Sequence, residues 1–145
     1  MTLAALTGVG SVVALAANQV IGPAVGRARP FVAFPQALVL LKHAADDSFP
    51  SDHCMIAGAL AAGLLVLNRR VGAFAVLVAV LLAFSRVYVG VHYPSDTVAG
   101  LANGAVITAF MLAGTPLLTR QLYRLSRGPL RVLVVARDVE VPSQP

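Results

Sequence analysis

Four apolar runs, each near the length that crosses a bilayer and each ended by a short polar break, constrain this chain more than any other feature. About 20 residues of helix span a hydrocarbon core of about 30 Å, and a spanning segment must satisfy its own backbone groups. The first run, Leu3 to Ile21, lacks the basic start of a secretory signal and reads as a membrane helix stopped at Gly22-Pro23. A second starts near Ser51 and passes through the small residues of Met55 to Leu67, which suit close helix packing in lipid. The third covers Val71 to Tyr88 and carries Arg86 in its last turn, and the fourth opens at Pro94 and reaches about Leu118. Since 58% of the 145 residues are hydrophobic, the expected fold is all-α, a polytopic membrane bundle of about four transmembrane helices.

The long segment between the first two helices holds Arg27, Arg29, Lys42, Asp46, Asp47 and several prolines, and reads as a loop with an interfacial piece at Ala37 to Leu41. The net charge of +5 suggests nucleic acid until the basic residues are located. Arg120, Arg124, Arg127, Arg131 and Arg137 crowd the C-terminal end without an aromatic-rich basic face, which is the flank pattern of a membrane protein, so no nucleic-acid partner is expected. Residues 1–119 form the membrane-embedded domain in this reading, and residues 120–145 a flexible basic cytoplasmic tail. Arg69-Arg70 falls on the same side as that tail, so the Gly22–Pro50 loop and the Tyr88–Pro94 turn face away from the cytoplasm. Cys54 is the single cysteine, and Leu60 stands where a cysteine phosphatase needs its arginine, so a thiol mechanism is excluded.

The residues able to do chemistry fall on the outer side in three clusters: Gly26 to Pro30, Phe49 to His53, and Ser85-Arg86 with His92 and Asp96. Arg27 alone reads equally well as a residue snorkelling to lipid phosphates. Arg29 and Arg86 come from separate segments and would repel each other without an anion between them, and their planar forks suit phosphate oxygens. Ser51 reads as a helix N-cap, which also offers free N–H groups to an anion, and His53 stands in the first turn beyond it. The four-residue separation of His92 and Asp96 lets a carboxylate at a helix start take a hydrogen bond from an imidazole, leaving the other nitrogen free to attack. His53, His92 and Asp96 are also zinc-type donors, but the neighbouring arginines disfavour capture of a cation, and no metal is expected. His43, in the middle of the outer loop, reads as a surface residue.

These clusters resemble the signature of the type 2 phosphatidic acid phosphatase family: Lys, six residues and Arg-Pro; Pro-Ser-Gly-His; and Ser-Arg, five residues, His, three residues, Asp. Arg29-Pro30, Pro50-Ser51-Asp52-His53, and Ser85-Arg86 with His92 and Asp96 match in order and spacing. The resemblance implies a membrane phosphatase in which His92 forms a phosphohistidine, Asp96 orients it and His53 protonates the leaving oxygen. Arg29, Arg86 and Ser51 would hold the phosphoryl oxygens, with Arg27 and Asp52 also at the phosphate, and no cofactor or metal is implied. Asp52 replaces the usual glycine, as in the undecaprenyl-diphosphate phosphatase branch, and Gly22 stands where the family has a phosphate-binding lysine, with Arg27 the candidate substitute. Members usually have six spans, and the four here correspond to the last four. The expected substrate is undecaprenyl or another polyprenyl diphosphate; phosphatidic acid and a degenerate member that binds lipid phosphate without turnover are the alternatives.

Overall fold

A computed structural model describes residues 3–36, 38–40 and 44–127, with side chains as far as residue 115. Its helices are α1 (Leu3–Val25), α2 (Pro30–Ala33), α3 (Asp52–Leu67), α4 (Arg69–Tyr88) and α5 (Pro94–Arg127), and the described residues contain no strand. Three stretches are long and apolar enough to cross a membrane: Ala4–Ala33, which takes in α2 and all of α1 but Leu3, Arg69–Tyr88 and Pro94–Thr115. The fourth, α3, is apolar but only 16 residues long.

Several boundaries differ from the sequence expectation. Helix α1 continues through Pro23 to Val25, because a proline that close to the end removes little of the backbone ladder. The helix closes at Gly26, whose φ of 59° is left-handed and whose N–H donates to the Gly22 carbonyl at 2.8 Å. A short helix that the sequence reading did not expect lies at Pro30–Ala33, where Pro30 occupies the first position, and in the expected interfacial piece at Ala37 to Leu41 the described residues 38–40 are not helical. Helix α5 reaches Arg127, beyond the expected end near Leu118, while residues 128–145 of the expected tail lie outside the described residues, as does His43.

Residues 1–112 form one compact unit, to which the following description refers, and residues 113–145 a second. A single residue, Asn68, joins α3 to α4, and its Oδ1 accepts from the N–H groups of Arg70 and Val71 at 2.9 and 3.2 Å, capping α4 as α3 ends. Helix α3 packs against both α1 and α4. It also meets α5 with almost no side chain between: a Cβ on Gly100 would stand 2.7 Å from the Ser51 carbonyl, and one on Gly104 would overlap the Met55 carbonyl. Close backbone approach of this kind drives association in lipid, where burial of apolar surface between helices gains little. The centre accordingly consists of small residues around Ala14, Met55 and Ala59, while Phe74 and Phe110 are 67% and 75% exposed on the outside.

Thr7, Asn18 and Thr108 are buried within α1 and α5, and the other buried polar groups gather at one end. Arg29, Ser48, Ser51, His92, Asp96 and Thr97 are each at most 4% exposed, and all belong to the ends of α3 and α5 or the segments leading to them.

Candidate active site

The α4–α5 turn determines where His92 and Asp96 stand. Gly90 has a φ of 79°, which ends α4, and a Cβ there would come 2.9 Å from the Leu38 carbonyl. Pro94 then opens α5, and Asp96 reaches back so that its Oδ2 accepts from the N–H of Tyr93, the residue before the helix, at 3.0 Å. This is one half of a capping box, and it fixes the carboxylate as the helix starts.

His92 is 3% exposed, and both ring nitrogens are engaged. Its Nδ1 lies 2.9 Å from the Ser48 carbonyl, which can only accept, so Nδ1 carries the proton. Nε2 therefore presents a lone pair, which accepts from Arg29 Nη1 at 3.1 Å. Burial, first, and then the Arg29 guanidinium push the His92 pKa down from 6.5 to about 4, with a smaller push from Arg86, against the opposing pull of the Ser48 carbonyl and Asp96. The imidazole is neutral at pH 7, as a nitrogen nucleophile must be.

Asp96 lies near His92 but does not take its proton. The Asp96 Oδ2 is 3.8 Å from His92 Nδ1, beyond hydrogen-bond length, and Ser48 Oγ donates to it at 2.5 Å. Its Oδ1 accepts from Arg27 Nη1 at 2.7 Å. The spacing had suggested a direct Asp96–His92 bond; here the Ser48 main chain orients the ring and Asp96 binds the groups around it.

Arg29 is clamped from several directions: its Nε donates to Asp46 Oδ1 at 2.7 Å, and Nη1 donates to the Val91 carbonyl at 3.1 Å as well as to His92. A fixed fork with its Nη1 at the nucleophile is pre-organised for a phosphoryl group. An open cavity of about 460 Å³ lies beside it, lined by Gly26, Ala28, Arg29, Val32, Ala45, Asp46 and Asp47.

Ser51 occupies the N-cap of α3, but its hydroxyl makes no capping bond; it is fully buried and has no hydrogen-bond partner among the described residues. A buried donor in that state needs an acceptor, and a phosphate oxygen would provide one. Arg86 Nη2 lies 2.9 Å from His53 Nδ1, and Arg86 Nε is buried without a partner among the described residues. The Arg86–His53 contact and the Ser51 N–H, which donates to the Asp96 carbonyl at 3.1 Å, join the second and third clusters.

Arg27 and Asp52 point elsewhere. Arg27 donates to Ser95 Oγ and to Asp96 at 2.7 Å each and lies over the rings of Phe49 and Tyr93, at 5.8 and 5.1 Å from their centroids. Asp52 Oδ1 accepts from Asn18 Nδ2, which also donates to the Pro50 carbonyl at 3.1 Å. Neither side chain contacts His92 or Arg29 in these interactions. Gly22 lines a cavity of about 120 Å³ with Asn18, Asp47, Phe49 and Asp52, and a Cβ there would meet nothing nearer than the Phe49 carbonyl at 3.5 Å. The space for a longer side chain is open.

Sequence reasoning missed Ser48, Asp46 and Asn18. Asn18 gave a signal, as a polar amide inside an apolar run. Ser48 gave none, since the atom that holds His92 is a main-chain oxygen.

Residues 2–120 match the family model described as the PAP2 superfamily. Over 100 residues the chain is 39% identical to undecaprenyl-diphosphatase BcrC of Bacillus subtilis (strain 168), covering 69% of this chain and 51% of that protein. It is 39% identical over 102 residues to lipid A 1-phosphatase of Rhizobium johnstonii, covering 66% of this chain and 42% of that one. The chain thus spans about half the length of the curated relatives it matches. The crystal structure of a transmembrane PAP2 type phosphatidylglycerolphosphate phosphatase from Bacillus subtilis superposes with a TM-score of 0.60 at 26% identity, over 79% of this chain and 57% of that one.

Proposed function

The chain belongs to the PAP2 superfamily, and from that premise we propose that it is a membrane phosphatase acting on a lipid-linked phosphate or diphosphate, with undecaprenyl or a related polyprenyl diphosphate as substrate. The observation that carries this reading is the His92 Nε2 lone pair, held by the Ser48 carbonyl behind it and facing the Arg29 fork in a buried pocket.

In the first step Nε2 attacks the terminal phosphorus while the bond to the leaving oxygen breaks and His53 gives that oxygen a proton. Water then attacks the phosphohistidine, the P–N bond breaks, and His53 recovers the proton. Arg29, Arg86 and the Ser51 hydroxyl hold the equatorial oxygens, so the work is mostly positioning and charge stabilisation. The arginines supply the positive charge, and turnover is expected to persist in a chelator. Asp96 and Arg27 support His92 from behind, and Asp52 acts through the start of α3 rather than on the phosphate.

Polyprenyl diphosphate is preferred because Asp52 replaces the glycine of the wider pattern and because a relative named undecaprenyl-diphosphatase aligns across more than two thirds of the chain. We read residues 1–119 as the phosphatase domain and residues 120–145 as a cytoplasmic tail; Arg69-Arg70 at the start of α4 supports an extracytoplasmic site at the other end of that helix. Gly22 favours a second reading, a member that binds the lipid phosphate without turnover.

Phosphate release from undecaprenyl diphosphate by the purified chain in detergent separates these readings. Release that vanishes in His92→Ala and survives a chelator is expected. Release unaffected by His92→Ala would overturn the mechanism, and binding without release would favour the second reading. Labelling of a His43→Cys variant in intact cells by an impermeant reagent tests the orientation.

A further inference from the structure

Asn18 lies on α1, is 8% exposed, and reaches the head of α3 at two places. Its Nδ2 donates to the Pro50 carbonyl at 3.1 Å and to Asp52 Oδ1. Between those residues stands Ser51, whose N–H donates to the Asp96 carbonyl of α5 at 3.1 Å. Pro50, Ser51 and Asp52 lead into α3 and are thus tied to α1 on one side and to α5 on the other. The Ser51 hydroxyl stays without a partner among the described residues, and His53 follows in the first turn. We propose that Asn18 is a positioning residue: its amide fixes the height and rotation of the Pro50–His53 turn against α1, and so the place where the Ser51 hydroxyl and the His53 ring meet a phosphoryl group.

The contact between α1 and α3 shows why such a hold is needed. The two helices run antiparallel, with Thr7 against Gly63, Ala14 clustered with Met55 and Ala59, and Asn18 at Pro50 and Asp52. Small apolar residues bring helices close, but their dispersion contacts are non-directional and oppose a small slide only weakly. A hydrogen bond has a preferred length and angle, so a donor at one end of the contact sets the register there. The Pro50 carbonyl can only accept, which turns Nδ2 toward α3 and Oδ1 away from it. Oδ1 is buried and has no partner among the described residues. A buried acceptor without a donor costs stability, so an apolar side chain would suit α1 better at this place, and what the amide adds is its hold on the turn. Asp52 brings the second acceptor, which the glycine of the wider pattern lacks.

The role rests on the reading of Ser51 and His53 as groups that meet the phosphate, and two measurements keep the two ideas apart. The first is kcat and KM for phosphate release from undecaprenyl diphosphate. Asn18→Leu keeps the volume and removes both donated bonds; misplacing the turn is expected to lower kcat about a hundredfold with a much smaller change in KM. Asp52→Asn keeps an acceptor oxygen and is expected to stay within about threefold of wild type, whereas Asp52→Ala loses about tenfold. Adding Asp52→Ala to Asn18→Leu removes no further bond, so the double variant is expected to match Asn18→Leu within about twofold. A loss confined to KM, no loss in Asn18→Leu, or single effects that multiply in the double variant would overturn the proposal. The second measurement is the labelling rate of Cys54, the single cysteine, which is fully buried next to His53, by a maleimide in detergent. It needs no turnover. Asn18→Leu is expected to label about tenfold faster than wild type as the head of α3 loosens. Gly72→Val strains the far end of α3, where a Cβ would overlap the Leu65 backbone, and is expected to leave the rate near that of wild type. Equal rates in Asn18→Leu and wild type, or an equal rise in Gly72→Val, would also overturn the proposal. If labelling rises in Asn18→Leu alone, yet the wild-type chain hydrolyses no lipid, the phosphatase reading fails and the hold of Asn18 on the turn stands.

Discussion

The middle of the bundle and its polar end are built by opposite rules. In the middle, glycines and alanines bring the backbones of α3 and α5 together, and the large apolar side chains turn outward. At the end, buried arginine, aspartate, serine and histidine hold one another through directed hydrogen bonds. The α3–α5 crossing in the first region tolerates no added volume at Gly58, Gly100 or Gly104. The second leaves cavities beside Arg29 and Gly22 and holds its charged groups by directed hydrogen bonds, with the Ser51 hydroxyl and Arg86 Nε left without a partner among the described residues. Shape therefore limits substitution in the middle, and charge limits it at the site.

The difference can be broken first at Arg29. Arg29→Ala removes the fork at Nε2 and is expected to lower kcat/KM for phosphate release by about a thousandfold, while the helical signal by circular dichroism stays unchanged. A loss of less than tenfold would remove Arg29 from the phosphate. Acid probes the same end through stability. An unfolded histidine titrates near 6.5 and His92 in the folded chain near 4, so between those values the unfolded state binds the extra proton and stability falls as pH falls. The full effect is about 3 kcal/mol, read as a decline in melting temperature between pH 6.5 and 4 that His92→Gln should flatten. An equal decline in that variant would place the acid sensitivity elsewhere. In the middle, Gly104→Val forces α5 away from the Met55 carbonyl and is expected to cost about 1–3 kcal/mol of stability, with activity falling only as the folded fraction falls. Unchanged thermal stability would refute the close crossing. The smallest effect is expected at the border, where Gly22→Lys adds a cation to open space: kcat/KM should rise about tenfold with little change in melting temperature. A fall in kcat/KM would show that the glycine is required.

Much of this was legible before the structure, for identifiable reasons. Apolar runs set three long helices and the shorter α3, and the motif spacing gathered Arg29, Ser51, His53, Arg86, His92 and Asp96 on one end. Spacing did not reveal which atoms meet. Asp96 is near His92 in sequence and in space, yet the bond goes to Ser48, forty-four residues away, through a carbonyl that any residue would carry. Arg27 and Asp52 have the right charge types near the right motifs, but Asp96 and Asn18 engage them, and no linear pattern reports such competition. The end of α1 was misplaced because Pro23 stops a helix in general but permits a last short turn when a left-handed glycine follows.

The shortness of α3 has a consequence for the surrounding bilayer. At 1.5 Å per residue its 16 residues reach about 24 Å and the 20 residues of α4 about 30 Å, and the two start level because only Asn68 separates them. Ser51 and His53 therefore end about one turn short of the Tyr88 end of α4. A membrane thick enough to match α4 leaves the head of α3 submerged, and one thinned to match α3 pushes Tyr88 into the headgroups. Lipid thickness thus sets how deep the head of α3 lies relative to the end of α4.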